Sequence, residues 1–126
     1  MWADDPASRG LGMHLVSVAP GHAVIAMPVR EDMTNGHGIA HGGFVFALAD
    51  SAFAFACNSY DQRAVAASCD ITFLAPVQVG DTLVADARER VRRGRSGIYD
   101  VTVRRDDEVV AEFRGHSRAI GGSVTG

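Results

Sequence analysis

Apolar positions along this chain follow two periods. From His22 to Arg30 they alternate, with Ala23, Ile25, Met27 and Val29 on one side, the pattern of a half-buried strand. The same period returns in Thr82–Arg92, where Leu83, Ala85, Ala87 and Val91 face one way and Asp86, Arg88, Arg90 and Arg92 the other. It returns again in Ile98–Arg105, with Tyr99, Val101 and Val103 opposite Asp100, Thr102 and Arg104. A strand or strand-like edge is predicted over 12–19, a long strand over 64–74 and a last strand over 108–120. Turn residues separate these runs: Pro20-Gly21, Val79-Gly80-Asp81, the Arg93–Gly97 turn and Asp106-Asp107.

One stretch is of another kind. His41 to Tyr60 reads HGGFVFALADSAFAFACNSY. Phe44, Leu48, Ser51 and Phe55 form one helical stripe, and Val45, Ala49, Ala52 and Ala56 the next. Length, alanine content and flanking glycines favour a helix, and apolar residues on nearly every side make it a buried one. It is too short to span a bilayer, which takes about 20 apolar residues. Tight turns between consecutive strands argue an antiparallel sheet, so the expected class is α+β: a central helix wrapped by a curved antiparallel sheet of about five to six strands. One sheet covers part of such a helix, and a second copy of the chain would cover more. Residues 1–126 are read as a single domain, with 1–11 a mobile leader and 121–126 a polar, peripheral tail.

Composition narrows this picture. The chain has 126 residues, 47% of them hydrophobic, and a net charge of −3, an ordinary globular balance that gives no bulk attraction to nucleic acid. Its two cysteines, Cys57 and Cys69, lie in apolar segments and suit free thiols in a reducing compartment. The polar, acidic start MWADDPASRG has no basic-then-apolar signal pattern. The expectation is a cytoplasmic protein without membrane or nucleic-acid partners.

Candidate chemistry gathers at the buried stretch. A helix N-terminus exposes unpaired N–H groups and partial positive charge, and the Gly42-Gly43 pair after His41 lets a carbonyl oxygen come close to them. That arrangement stabilises an oxyanion; a glycine pair that merely lets the chain turn is the plainer reading. Asp50 is a carboxylate inside an apolar helix, where an unpaired charge is costly. It follows His41 by nine residues, roughly 13 Å along the axis and on the opposite face. If both act in one site, two chains build it. Asn35, in the loop MTNGHG, offers an amide to a carbonyl or water, or is simply a turn residue. His37 and His41 are four apart but lack acidic or cysteine partners, so no metal is expected. Five arginines fall between 88 and 95; they are either a solvated face or a phosphate site. The phenylalanines at 44, 46, 53, 55 and 73 either fill the core or line an aryl pocket.

Taken together, Asn35, His41-Gly42-Gly43, Asp50 and Ser68 resemble the hotdog-fold acyl-CoA thioesterases, above all those of the phenylacetate pathway. The similarity runs over about residues 12–120 and is most specific in NGHGIAHGGFVFALADSAFAFACNS. The resemblance implies a hotdog fold, dimers with sites at their interface, and usually tetramers. It implies that the Gly42 N–H polarises the thioester carbonyl, with His41 and Asn35 orienting that site. Asp50 of the partner chain would be general base or nucleophile, and Ser68 would hold the water or Asp50. Arg93, Arg95, Ser96 and Gly97 would meet the phosphates of coenzyme A, which is part of the substrate; no separate cofactor is implied. The implied activity is hydrolysis of arylacetyl-CoA. A non-enzymatic acyl-CoA-binding module, or a thioesterase for short-chain, medium-chain or hydroxybenzoyl thioesters, stays open.

Overall fold

The computed structural model describes residue 2 and residues 5–124. The long helix predicted from the apolar run forms as α2, Gly42–Cys57. Six strands follow the predicted order: β1 His14–Ala19, β2 His22–Pro28, β3 Ala64–Phe73, β4 Thr82–Arg93, β5 Ser96–Arg105 and β6 Glu108–Ala119. They make one antiparallel sheet in the order β1-β2-β4-β5-β6-β3. The sheet curls about α2, which touches all six strands. β1 and β3 are its edges, and β1 is exposed throughout.

Alternation decides what the sheet buries. Ile25, Leu83, Ala85, Ala87, Val101 and Val103 are wholly inside, facing Leu48, Ala49, Ala52 and Ala56 of α2. Small residues on the helix let the sheet approach closely, and aromatic rings fill what remains. Phe53 lies with its centroid 5.8 Å from both Tyr99 and Phe113. Gly115 on β6 makes room for it, since a Cβ there would stand 2.7 Å from Phe53 Cζ.

Three expectations need correction. Val91 is 48% exposed and does not join the buried row of β4. The ladder to β5 slips between Glu89 and Val91, so the extra residue turns the end of the strand over. The arginine turn is shorter than expected: Gly94, at φ +60°, and Arg95 connect Arg93 to its ladder partner Ser96, and Ser96 and Gly97 already belong to β5. Residues 6–10, expected as part of a mobile leader, form a short helix α1, Pro6–Gly10, capped by Asp5. Further along, residues 121–124 fold back on the α2–β3 connection, where the Arg63 N–H donates to the Gly122 carbonyl at 3.1 Å.

Candidate active site

His41 caps α2. Its backbone is extended, its N–H donates to the Met33 carbonyl at 2.7 Å, and its Nδ1 accepts the Gly43 N–H at 3.4 Å. The Gly42 N–H is left without an acceptor among the described residues. The Phe73 ring stands directly over Gly42, where a Cβ would lie 2.9 Å from Phe73 Cζ. The two line a cavity of about 490 Å³ together with Asn35, Ile39, Val45 and Val77. Asn35 is held by its own loop: its Oδ1 accepts the His37 N–H at 2.8 Å, and its N–H donates to the Ile39 carbonyl at 2.8 Å. With Oδ1 so engaged, the side chain offers the cavity its Nδ2 donors. The cradle therefore presents hydrogen-bond donors, a helix N-terminus and apolar walls, which fits a carbonyl oxygen gaining charge.

Asp50 lies elsewhere. It is half-buried at mid-helix and makes no hydrogen bond or ion pair among the described residues. Burial first, then the neighbouring Asp5 carboxylate, raises its pKa above the usual carboxylate range. It opens on a second cavity of about 230 Å³, shared with Asp5, Leu11, Met13, Ala47 and Ala54. It lies eight positions after Gly42 on the helix, about 12 Å of axial rise. Ser68 is exposed on edge strand β3, opposite His116, and no hydrogen bond joins it to Asp50. One chain thus brings Asn35, His41 and Gly42 together, and holds Asp50 and Ser68 apart from them.

The arginines divide by their partners. Arg88 pairs with Asp86, Arg90 approaches Asp100, and Arg92 stacks over Tyr60 at 3.8 Å while donating to the Gln62 side-chain Oε1. Arg93 and Arg95 are exposed and have no ion pair among the described residues. Arg95 and Ser96 border a small cleft beside Cys57, at the C-terminal end of α2. Gly97 packs inward, where a Cβ would stand 2.7 Å from Ser117 Oγ. It does not present an open backbone to a ligand.

Two features at these cavities were not assigned from the sequence. Phe73, grouped there with four other phenylalanines, is the half-exposed ring at the Gly42 cradle, whereas Phe53 and Phe55 are core. Asp5 and Ser8, placed in a leader, sit against α2 at Asp50. Asp-Pro followed by a short polar run is a helix-start signal that was present in DPASRG.

A curved antiparallel sheet around one long helix, with a glycine-lined helix N-terminus facing a cavity, is the hotdog architecture. A model of the thioesterase superfamily matches residues 37–112, and the chain belongs to that family. It is 46% identical over 127 aligned positions to acyl-coenzyme A thioesterase PaaI of Escherichia coli (strain K12), spanning all of this chain and 91% of that protein. The solved structure of the E. coli PaaI protein, from the phenylacetic acid degradation operon, matches with a TM-score of 0.96 at 44% identity, covering 98% of this chain and 90% of that one. A mutant of the phenylacetic acid degradation protein PaaI from Thermus thermophilus matches at TM-score 0.90 and 41% identity, over 92% of this chain and 100% of its own. More distantly, smu.793 from Streptococcus mutans UA159, solved bound to acetyl CoA, matches at TM-score 0.84 and 28% identity over 88% and 90% of the two chains.

Proposed function

We propose that this protein hydrolyses arylacetyl thioesters of coenzyme A, phenylacetyl-CoA or its ring-hydroxylated forms, to the free acid and coenzyme A, as a step of aerobic phenylacetate breakdown. The observation that carries the reading is the pairing of an unshared N–H at Gly42 with an unpartnered, half-buried carboxylate at Asp50. One is an oxyanion donor and the other a base or nucleophile. Because they open on different cavities of one chain, the working site takes Gly42 from one subunit and Asp50 from another. A homodimer then carries two equivalent sites, and dimers pair into a tetramer. The exposed edge of β3, carrying Val65 and Phe73, leaves an unpaired ladder that a second copy would cover.

In this scheme the thioester carbonyl oxygen sits at the Gly42 N–H, steered by the Asn35 amide, while His41 keeps the helix end in shape. Asp50 takes a proton from water, which attacks the carbonyl carbon; Ser68 holds that water or the carboxylate. The tetrahedral oxyanion collapses, the C–S bond breaks, and the thiolate leaves and is protonated to coenzyme A thiol. Direct attack by Asp50 would give an anhydride that water then opens, with the same products. Arg93 and Arg95 meet the coenzyme A phosphates, with Ser96 beside them. No cofactor beyond the substrate's own coenzyme A takes part. The aryl group packs among apolar side chains, with the Phe73 ring at the cradle as one contact.

We place the protein in the cytoplasm: Cys57 and Cys69 are free thiols, as a reducing compartment would keep them. Among the described residues, no helix is long and apolar enough to cross a membrane.

Release of free thiol from a panel of aryl-, short- and medium-chain acyl-CoAs tests the proposal. The expected result is highest kcat/KM on phenylacetyl-CoA or hydroxyphenylacetyl-CoA. Binding of acyl-CoA with no thiol released would make the chain a binding module, and a clear preference for aliphatic acyl groups would overturn the substrate assignment.

A further inference from the structure

Helix α1 is fastened to α2 beside Asp50 by a directional chain of hydrogen bonds. Asp5 Oδ1 accepts the Ser8 N–H at 3.1 Å, and Asp5 Oδ2 accepts the Ser8 hydroxyl at 2.8 Å. Ser8 is only 3% exposed, and its Oγ lies 2.7 Å from Ser51 Oγ on α2. A hydroxyl has one proton to donate. Ser8 gives its proton to Asp5, so Ser51 donates to Ser8, and the chain runs from α2 to Asp5 in one sense. Packing alone would not require this, since Trp2 already lies on Phe55 with centroids 5.4 Å apart. The outcome is that the Asp5 carboxylate is fixed at the same cavity as Asp50.

We propose that Asp5, held by Ser8 and Ser51, is a positioning residue that keeps a second negative charge beside Asp50 and so tunes it for the reaction. The inference rests on the role given to Asp50 above. Two like charges in a half-buried site oppose each other's ionisation, and burial already disfavours the charged form of Asp50. Titratable groups that act on or near Asp50 are Asp5 from α1, the Cys57 thiol on α2 itself and the Cys69 thiol on β3. Both thiols are pushed up by burial, Cys57 to about 12, and are neutral at pH 7. No arginine or histidine pairs with Asp50 among the described residues. In the assembled site the partner's helix N-terminus, which favours the carboxylate, opposes Asp5. The balance sets how strongly Asp50 holds a proton, and hence how readily it takes one from water.

The test is a carboxyl 13C NMR titration of Asp50 in the intact assembly, run beside the pH profile of kcat/KM on phenylacetyl-CoA, for wild type, Asp5→Asn and Asp5→Glu. Asparagine keeps one oxygen for the Ser8 N–H and removes the charge, at the cost of turning the acceptor of the Ser8 hydroxyl into an NH2 donor. The Asp50 midpoint and the acid limb of the profile are expected to move to lower pH in Asp5→Asn and to stay near wild type in Asp5→Glu. Should Asp5→Asn fail to fold, Ser51→Ala, which frees α1 but keeps Asp5, is expected to shift the midpoint in the same direction. A midpoint unmoved in the folded variant would overturn the proposal. Wild-type turnover in Asp50→Asn would instead overturn the catalytic role of Asp50, and the NMR midpoint would still report whether Asp5 acts on it.

Discussion

Asp50, the proposed base or nucleophile, carries opposite implications for stability and for the proposed reaction. Its folded-state pKa is raised, so its contribution to stability is full below the unfolded value and is lost as pH rises through the folded one. At neutral pH keeping this carboxyl half-buried therefore costs stability. Asp50→Asn is expected to abolish turnover while melting a few degrees higher than wild type at pH 7, a difference that closes as pH falls towards 4; calorimetry across pH checks the sign. At Gly42 the balance differs. A methyl group there meets first the outer end of an exposed Phe73 ring, so Gly42→Ala should leave stability within about 1 kcal/mol. It crowds the proposed carbonyl-oxygen position while keeping the N–H, and kcat should fall roughly tenfold to hundredfold, no more than the cost of losing one oxyanion donor outright. Both residues were legible in the sequence, because a charge in an apolar helix and a glycine pair at its start violate local preference. Asp5 and Ser8 were not, since their significance lies in contact with Ser51, 43 residues after Ser8.

At the scale of elements, the strands were readable wherever one face is buried. β2, β4 and β5 each show a period of two in the sequence and bury that side in the structure. The pattern failed at Val91 because a bulge is a property of ladder pairing, and no local residue announces it. Helix α2 was readable from composition and length, and the sheet is fitted to it through single glycines. Gly115→Ala would drive a Cβ into the Phe53 ring, within a cluster that also holds Tyr99 and Phe113. A loss of about 1–3 kcal/mol is expected from such overpacking, measured by chemical denaturation. The β4–β5 turn shows the complementary case. Its composition announced a charge cluster, but only the structure shows which arginines are already engaged. The double variant Arg93→Ala/Arg95→Ala should raise KM for acyl-CoA roughly tenfold with kcat little changed. An equal change for a thioester lacking the nucleotide part would argue against a phosphate contact.

At the scale of the whole molecule, the expected α+β plan of one long helix within an antiparallel sheet is the plan observed, with six strands where about five to six were expected. Of the proposed site, Asn35 and Gly42 line one cavity, with His41 capping the helix beside them. The rest was legible only as a distance. Helical geometry holds Gly42 and Asp50 about 12 Å apart along one axis, and the structure opens them onto separate cavities. In the proposed dimer, symmetry between copies joins them, and periodicity along a single chain does not encode that.

Mixing two inactive chains measures that claim directly. Asp50→Asn and Gly42→Val are each expected to be dead as homo-oligomers. Unfolded together in equal amounts and refolded, half of the dimers would carry both variants, each with one wild-type pair of Gly42 and Asp50, so roughly a quarter of wild-type thiol release from phenylacetyl-CoA should return. Mixtures as inactive as their parents, in oligomers shown to have exchanged subunits, would contradict a site shared between chains.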